Sequence, residues 1–200
     1  YQKAKAYGIK PLIGAELTFE EKFNLVFLVK NETGYHHLSQ MITLGRLNGG
    51  HNRFRLSLTE IRNLSAGLIV LSGGMRGKIP FLLTERKVDE ALKEVRFFKE
   101  LFGEDFYIEL QHFSSDDTLS NIRLRDISME QHIPLVASNN VHFLHSQDWP
   151  LRRVMRAIAA NTVLDKVTDA GSPEQFLKTS RQMASLFHTF PAAIANTRKI

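Results

Sequence analysis

Short apolar runs rich in β-formers alternate along this chain with longer segments of helical period, and that alternation restricts the fold more than any other feature. Residues 11–18, 23–29, 68–71, 106–110 and 134–137 read as strands. Between them, residues 34–47 place Tyr35, Leu38, Met41 and Ile42 on one helical face. Residues 88–102 carry the clearest stripe, Val88, Ala91, Leu92, Val95, Phe98 and Phe102, closed by Gly103. A further helix is predicted over 119–132, and a short one with Thr59 as its N-cap. Residues 2–7 read as the end of a helix stopped by Gly8, and 48–55 as a polar loop around Gly49 and Gly50. From Trp149 onward the reading is helical: 151–160, 173–177, 180–187 and a last turn past Pro191. The pattern predicts an α/β domain with a mostly parallel sheet, and periodicity does not choose between an open sheet and a barrel.

Composition narrows the class. With 43% hydrophobic and 24% charged residues among 200, the chain has the balance of an ordinary globular protein. No apolar run approaches the roughly 20 residues a membrane-spanning helix needs, so no membrane partner is expected. The absence of cysteine excludes disulfides and thiolate metal sites and fits a reducing cytoplasm. A formal charge of +5 is compatible with a polyanionic partner, although the basic residues are scattered. Tyr1 opens the sequence in what reads as a helix interior, with no initiator Met or signal segment, and a fragment of a longer protein is expected.

In an α/β fold, ligands gather just beyond the C-terminal ends of the strands. Those places are Glu16, the Gly73–Gly74 turn, Gln111 with His112, and Asn140 to His142. Two of the four offer a metal or proton-transfer group directly, which is sparse for a catalytic centre, and no catalytic residue is assigned. His112 reads as a loop histidine, and His36 and His37 are helical neighbours that point apart and do not chelate. His51, His145 and His188 sit in polar or tail contexts. The run from Gly73 to Lys78 lacks the Gly-Lys-Ser/Thr ending of a phosphate loop and reads as a tight turn. No Ser–His–Asp or Cys–His arrangement is arguable.

Several stretches, taken in order, carry a resemblance. They are residues 6–16 ending in Gly14-Ala15-Glu16, residues 30–35 from Lys30-Asn31, and residues 67–73 ending in Ser72-Gly73. Then come Phe106-Tyr107-Ile108-Glu109-Leu110-Gln111, residues 134–143 through Asn140-Val141-His142, and residues 186–197 across Pro191. Together they resemble the PHP domain of bacterial C-family DNA polymerases of the polymerase III alpha type. The Tyr107 to Gln111 run looks closer to the error-prone branch.

The resemblance implies a distorted, TIM-like β/α barrel whose N-terminal strands are missing from this fragment. It implies a PHP domain over 1–148 and a helical exit segment over 149–200 leading towards the palm. In metal-binding relatives, up to three zinc or manganese ions at the strand ends support phosphoester cleavage, including 3′–5′ proofreading, because imidazole and carboxylate suit such ions. The His-x-His and Asp-His segments that supply part of the ligand set are not in this sequence. Five other ligand positions are. Glu16 and His142 match the family; Asn24 stands where relatives have His, Gly74 where they have Cys or His, and Asn140 where they have Asp. The expectation is therefore a metal-depleted domain, with no cofactor of its own and a structural or partner-docking role. Its parent would be a magnesium-dependent DNA-directed DNA polymerase of the cytoplasm, acting on DNA and deoxynucleotides alongside other replisome or translesion subunits. An active phosphoesterase or proofreading nuclease is the alternative. A free-standing histidinol-phosphatase-like hydrolase is disfavoured by the segment after Trp149.

Overall fold

A computed structural model describes residues 1–50, 53–167 and 171–200. A short helix α1 (Gln2–Ala6) leads into the hairpin of β1 (Gly14–Phe19) and β2 (Phe23–Val29), whose three-residue turn holds Glu20 and Glu21 at positive φ. Helix α2 (Glu32–Gly49) starts at Asn31, whose side chain accepts from the Gly34 amide at 3.0 Å. Helix α3 (Leu58–Asn63) precedes β3 (Leu68–Leu71), and a 3₁₀ turn (Gly74–Arg76) leads into α4 (Lys78–Thr84). Helix α5 (Val88–Phe102), β4 (Phe106–Leu110), α6 (Asp117–Gln131) and β5 (Leu135–Ala137) complete the alternation. Helices α7 (Trp149–Ala159), α8 (Ser180–Leu186) and α9 (Pro191–Asn196) follow.

The five strands lie side by side in sequence order. β1–β2 and β2–β3 pair antiparallel, and β3–β4 and β4–β5 pair parallel. The sheet is thus mixed, with β2 alone running against the other four strands. A three-residue connection can only return antiparallel, whereas the parallel pairs need the crossovers through α4–α5 and α6. Among the described residues the sheet is open, with β1 and β5 at its edges. One consequence matters for function: the C-terminal ends of β1, β3, β4 and β5, and the start of β2, all meet at one end.

Period-two alternation sends Leu17, Phe19, Leu25, Phe27, Val70, Phe106 and Ile108 to one face, where they pack with the helices. Phe98 of α5 sits at the centre of that core, its ring 6.1 Å from Phe19 and 5.6 Å from Phe106. Ile69, Leu71, Tyr107 and Val136 form a smaller cluster with Val26, Leu28 and Ile200. Phe187, Phe190 and Ala193 join the main core from the C-terminal segment, and Asn196 donates to the Leu135 carbonyl at 2.8 Å.

Several elements differ from the sequence reading. β1 begins at Gly14, because Leu12 and Ile13 are apolar but exposed and lie before the paired register. On α2, Leu38 and Met41 are buried while Tyr35 is 49% exposed; Gly34 replaces a wider face by close approach, since a Cβ there would overlap the Gly67 carbonyl. The cap of α3 is Ser57, not Thr59. Its hydroxyl accepts from the Glu60 amide at 3.2 Å and the Glu60 carboxylate accepts from the Ser57 amide at 2.7 Å. That backbone bond lowers the Glu60 carboxyl from its ordinary value, with burial opposing it and the Ser57 and Asn48 side-chain bonds adding to it. Helix α4 begins at Lys78, where the reading stopped at a turn, and Pro80 is tolerated in its first turn. Residues 173–177 are not helical: Phe176 bridges Phe143, and Asn139 holds the Glu174 and Phe176 carbonyls at 3.0 and 2.7 Å. No helix among the described residues is long and apolar enough to cross a membrane.

Candidate functional site

The shared strand end divides into two parts. In the first, the β1–β2 register sets Thr18 opposite Asn24, one turn of the pleat from Glu16. The buried Asn24 side chain accepts from the Thr18 hydroxyl at 3.0 Å and donates its amide N–H to the Glu16 carboxylate. Towards Glu16 the asparagine therefore presents a donor and no lone pair.

Gly74 follows β3 at φ +50, and a Cβ at that position would overlap the side-chain amide of Gln111, the residue just after β4. Gln111 has taken the space. Its oxygen accepts from the Met75 amide at 3.3 Å, and its nitrogen reaches Ser138 Oγ at 3.1 Å and Glu109 at 3.3 Å. Ser138 also donates to Glu109, whose own amide donates to Ser72 Oγ at 2.9 Å. Asn121 of α6 closes the network on the Gln111 carbonyl at 2.9 Å. Burial pushes the Glu109 carboxyl up; bonds from Ser138 and Gln111 oppose this only in part, and the Glu16 charge adds to it. This knot of Ser72, Glu109, Gln111, Asn121 and Ser138 was not assigned from the sequence. The signals for it were the strand-end position of Gln111 and its spacing of two from Glu109, which puts the two on one face.

The second part is a cavity of about 550 Å³ lined by Glu16, Arg76, Asn140, His142, Arg152, Arg156, Gly171 and Gln175. Asn140 stands at φ +41 in the loop after β5, and the His142 amide donates to the buried Gln175 carbonyl side of the neighbouring loop at 2.9 Å. Arg152 and Arg156 are one turn apart on α7, and Arg76 comes from the 3₁₀ turn after β3. The fold thus brings Glu16, Asn140 and His142 together and ties Asn24 to Glu16, while Gly74 is sealed behind Gln111. Sequence reasoning missed the three arginines. The four-residue spacing of Arg152 and Arg156 on a helix was a usable sign.

The other histidines stay apart. His112 packs edge-on against Phe187 with rings 6.4 Å apart, His37 Nδ1 lies 3.0 Å from the Ala66 carbonyl, and His36 turns towards Glu32. His188 Nδ1 is 3.0 Å from the Ser185 carbonyl. His51 lies outside the described residues. Among the described residues no group of three or more His, Cys, Asp or Glu side chains is placed to hold a metal ion. One carboxylate, already bonded by an amide N–H, and one imidazole beside three guanidinium groups do not fit a cluster of dications.

Residues 1–113 match the family model described as "PHP domain", more than half of the chain. The chain belongs to the PHP domain family. Its open five-stranded α/β sheet accordingly represents part of a distorted, TIM-like barrel architecture. Over its full length this PHP chain is 31% identical to the DNA polymerase III subunit alpha of Borreliella burgdorferi, covering 19% of that protein. Over 98% of its length it is 30% identical to the subunit of the same name from Pasteurella multocida, covering 18% of it. It is also 30% identical, again over the full chain, to the error-prone DNA polymerase of Symbiobacterium thermophilum, covering 20% of that protein. The PHP chain spans about one fifth of the length of these curated relatives. Both branches match at nearly equal identity, so identity does not separate them.

Proposed function

We propose that this chain is the PHP domain of a bacterial C-family DNA polymerase, a cytoplasmic enzyme that extends a DNA primer with deoxynucleotides. Within it the domain acts as a metal-depleted scaffold and docking module. Residues 1–148 form the PHP body, and 149–200 lead towards the palm, where magnesium would serve the nucleotidyl transfer. The full-length similarity to polymerase III alpha subunits supports the parentage. The observation that carries the scaffold role is Gln111, whose amide fills the space that a ligand side chain at position 74 would need. Glu16 and His142 remain, but Asn24 and Asn140 add no charge to them, and a multinuclear site needs charge to hold its ions.

Metal analysis of the full-length protein after dialysis, with phosphodiester hydrolysis assayed on the same sample, tests this reading. Fewer than one zinc or manganese per molecule and no hydrolysis above a blank are expected. Two or more tightly held ions that support cleavage would mean an active phosphoesterase or proofreading nuclease instead.

A further inference from the structure

Helix α7 is turned inside out with respect to the rest of the fold. Leu151, Val154, Met155 and Ile158 recur at the i, i+3, i+4, i+7 spacing, which gathers them in an arc of about 100° on the helix surface. A stripe of this kind ordinarily faces a core, as Ala91, Val95, Phe98 and Phe102 do on α5. Here the four side chains are exposed, Ile158 by 74%, and Val163 and Leu164 extend the patch beyond the helix. On the other side of α7, Arg152 and Arg156 line the strand-end cavity, and Ala157 is buried. Beside the stripe runs a groove of about 670 Å³, to which Val154, Ala157, Ile158, Val163 and Leu164 contribute. We infer that this stripe and groove are an intramolecular docking surface, covered in the parent protein by the part of the chain that follows residue 200. The inference rests on the polymerase reading above and adds the surface by which the domain is held.

A contiguous apolar face is unfavourable in water, and proteins keep one where another surface covers it. The chain spans about one fifth of the length of its curated relatives, so in a parent of that size about four fifths of the polypeptide is tethered to this domain. A tether presents its own segments at effective concentrations of about millimolar, well above that of a separate protein. Charge argues against a second copy of the same face. Helix α7 carries Arg152, Arg153 and Arg156 and no carboxylate, so α7 laid against α7 would bring two cationic helices together. Arg153 is held by two uncharged groups, the Trp149 ring at 5.3 Å from its centre and the Leu164 carbonyl at 3.4 Å. Lys166 also lines the groove. The covering segment is therefore one with apolar side chains against Leu151, Met155 and Ile158, bordered by carboxylates that meet Arg153 and Lys166.

The experiment uses the full-length parent with any native cysteine changed to serine; residues 1–200 contribute none. Ile158→Cys and, separately, Met155→Cys place a thiol on the stripe, and maleimide labelling is timed in the folded monomer and again in urea. Labelling about 100-fold slower in the monomer than in urea is expected at both positions. A photo-crosslinking residue at Leu151 should join to peptides that follow residue 200 in the same molecule. Both cysteine variants should keep the circular dichroism of the wild type, since neither side chain is packed within the domain. Labelling of the monomer at the urea rate overturns the inference and leaves the polymerase reading intact. Protection that appears only as protein concentration rises does the same, because it assigns a second copy, and so do crosslinks confined to another subunit or to residues ahead of Tyr1. A parent no longer than the present chain overturns both.

Discussion

The two parts of the strand end solve the same problem in opposite ways. Around Gly74 the space is filled: Gln111, Glu109, Ser138, Ser72 and Asn121 bond to one another, mostly out of contact with water. A few residues away, around His142 and Arg156, the space stays open and is lined with cations. One end of the sheet is thus closed by neutral polar packing in one part, which fixes geometry, and left open in the other. Polar groups in the closed part depend on each other, because a buried donor or acceptor without its partner costs about 1–3 kcal/mol. Those in the open part can turn to water.

The strongest way to break this comparison is Gly74→Ala. The added methyl drives the Gln111 amide from its place and the backbone must hold a left-handed φ, so a loss of about 3 kcal/mol is expected in urea unfolding. Combining it with Gln111→Ala should cost less than the sum of the two single changes, because both break the same bonds. Additive losses would show that the packing at Gly74 is not what Gln111 secures.

Asn24→Asp probes the boundary between the parts. It replaces the amide that donates to Glu16 with a second carboxylate in a buried position, and should lower stability by about 2 kcal/mol near neutral pH. Unfolding measured down to pH 4 should show that loss shrinking as one of the two carboxyls takes up a proton. A pH-independent loss would remove charge repulsion as its cause.

Glu109→Gln has the smallest effect and sharpens the closed side. The carboxyl of Glu109 is held up by burial, so between the ordinary glutamate pKa and its own raised value the folded protein keeps a proton that the unfolded chain has released. In that window the unfolded state binds fewer protons and stability falls as pH rises. The amide removes this slope, and E109Q should gain about 1 kcal/mol over wild type at pH 8 while matching it near pH 4. Parallel stability–pH curves for the two proteins would mean that Glu109 is ionised in the fold.

Much of the fold could be read before any coordinates, because strand propensity and the α5 stripe are local signals. All five strands lie where the apolar runs stand, and four of them share one direction. What escaped was decided by partners distant in sequence. Residues 173–177 pattern as helix, yet Asn139 and Phe143 hold them in a turn followed by a single bridge. Ser57-Leu58-Thr59-Glu60 spelled a capping box in plain view, and Thr59 was chosen because it too is a good cap. At the site, the resemblance located Glu16, Asn24, Gly74, Asn140 and His142, and the fold brings Glu16, Asn140 and His142 into one cavity. The arginines opposite them come from a turn and a late helix, and no periodicity links elements so far apart.

The hydrogen bond from Asn196 to the Leu135 carbonyl bears on how the domain can be handled. β5 is only three residues long and forms an outer border of the sheet, and a bare border is where one chain recruits another. Helix α9 lies against that border like a lid on a seam. A recombinant piece trimmed ahead of Pro191 would therefore expose a ready docking rail, and self-association would be the first symptom of cutting too short.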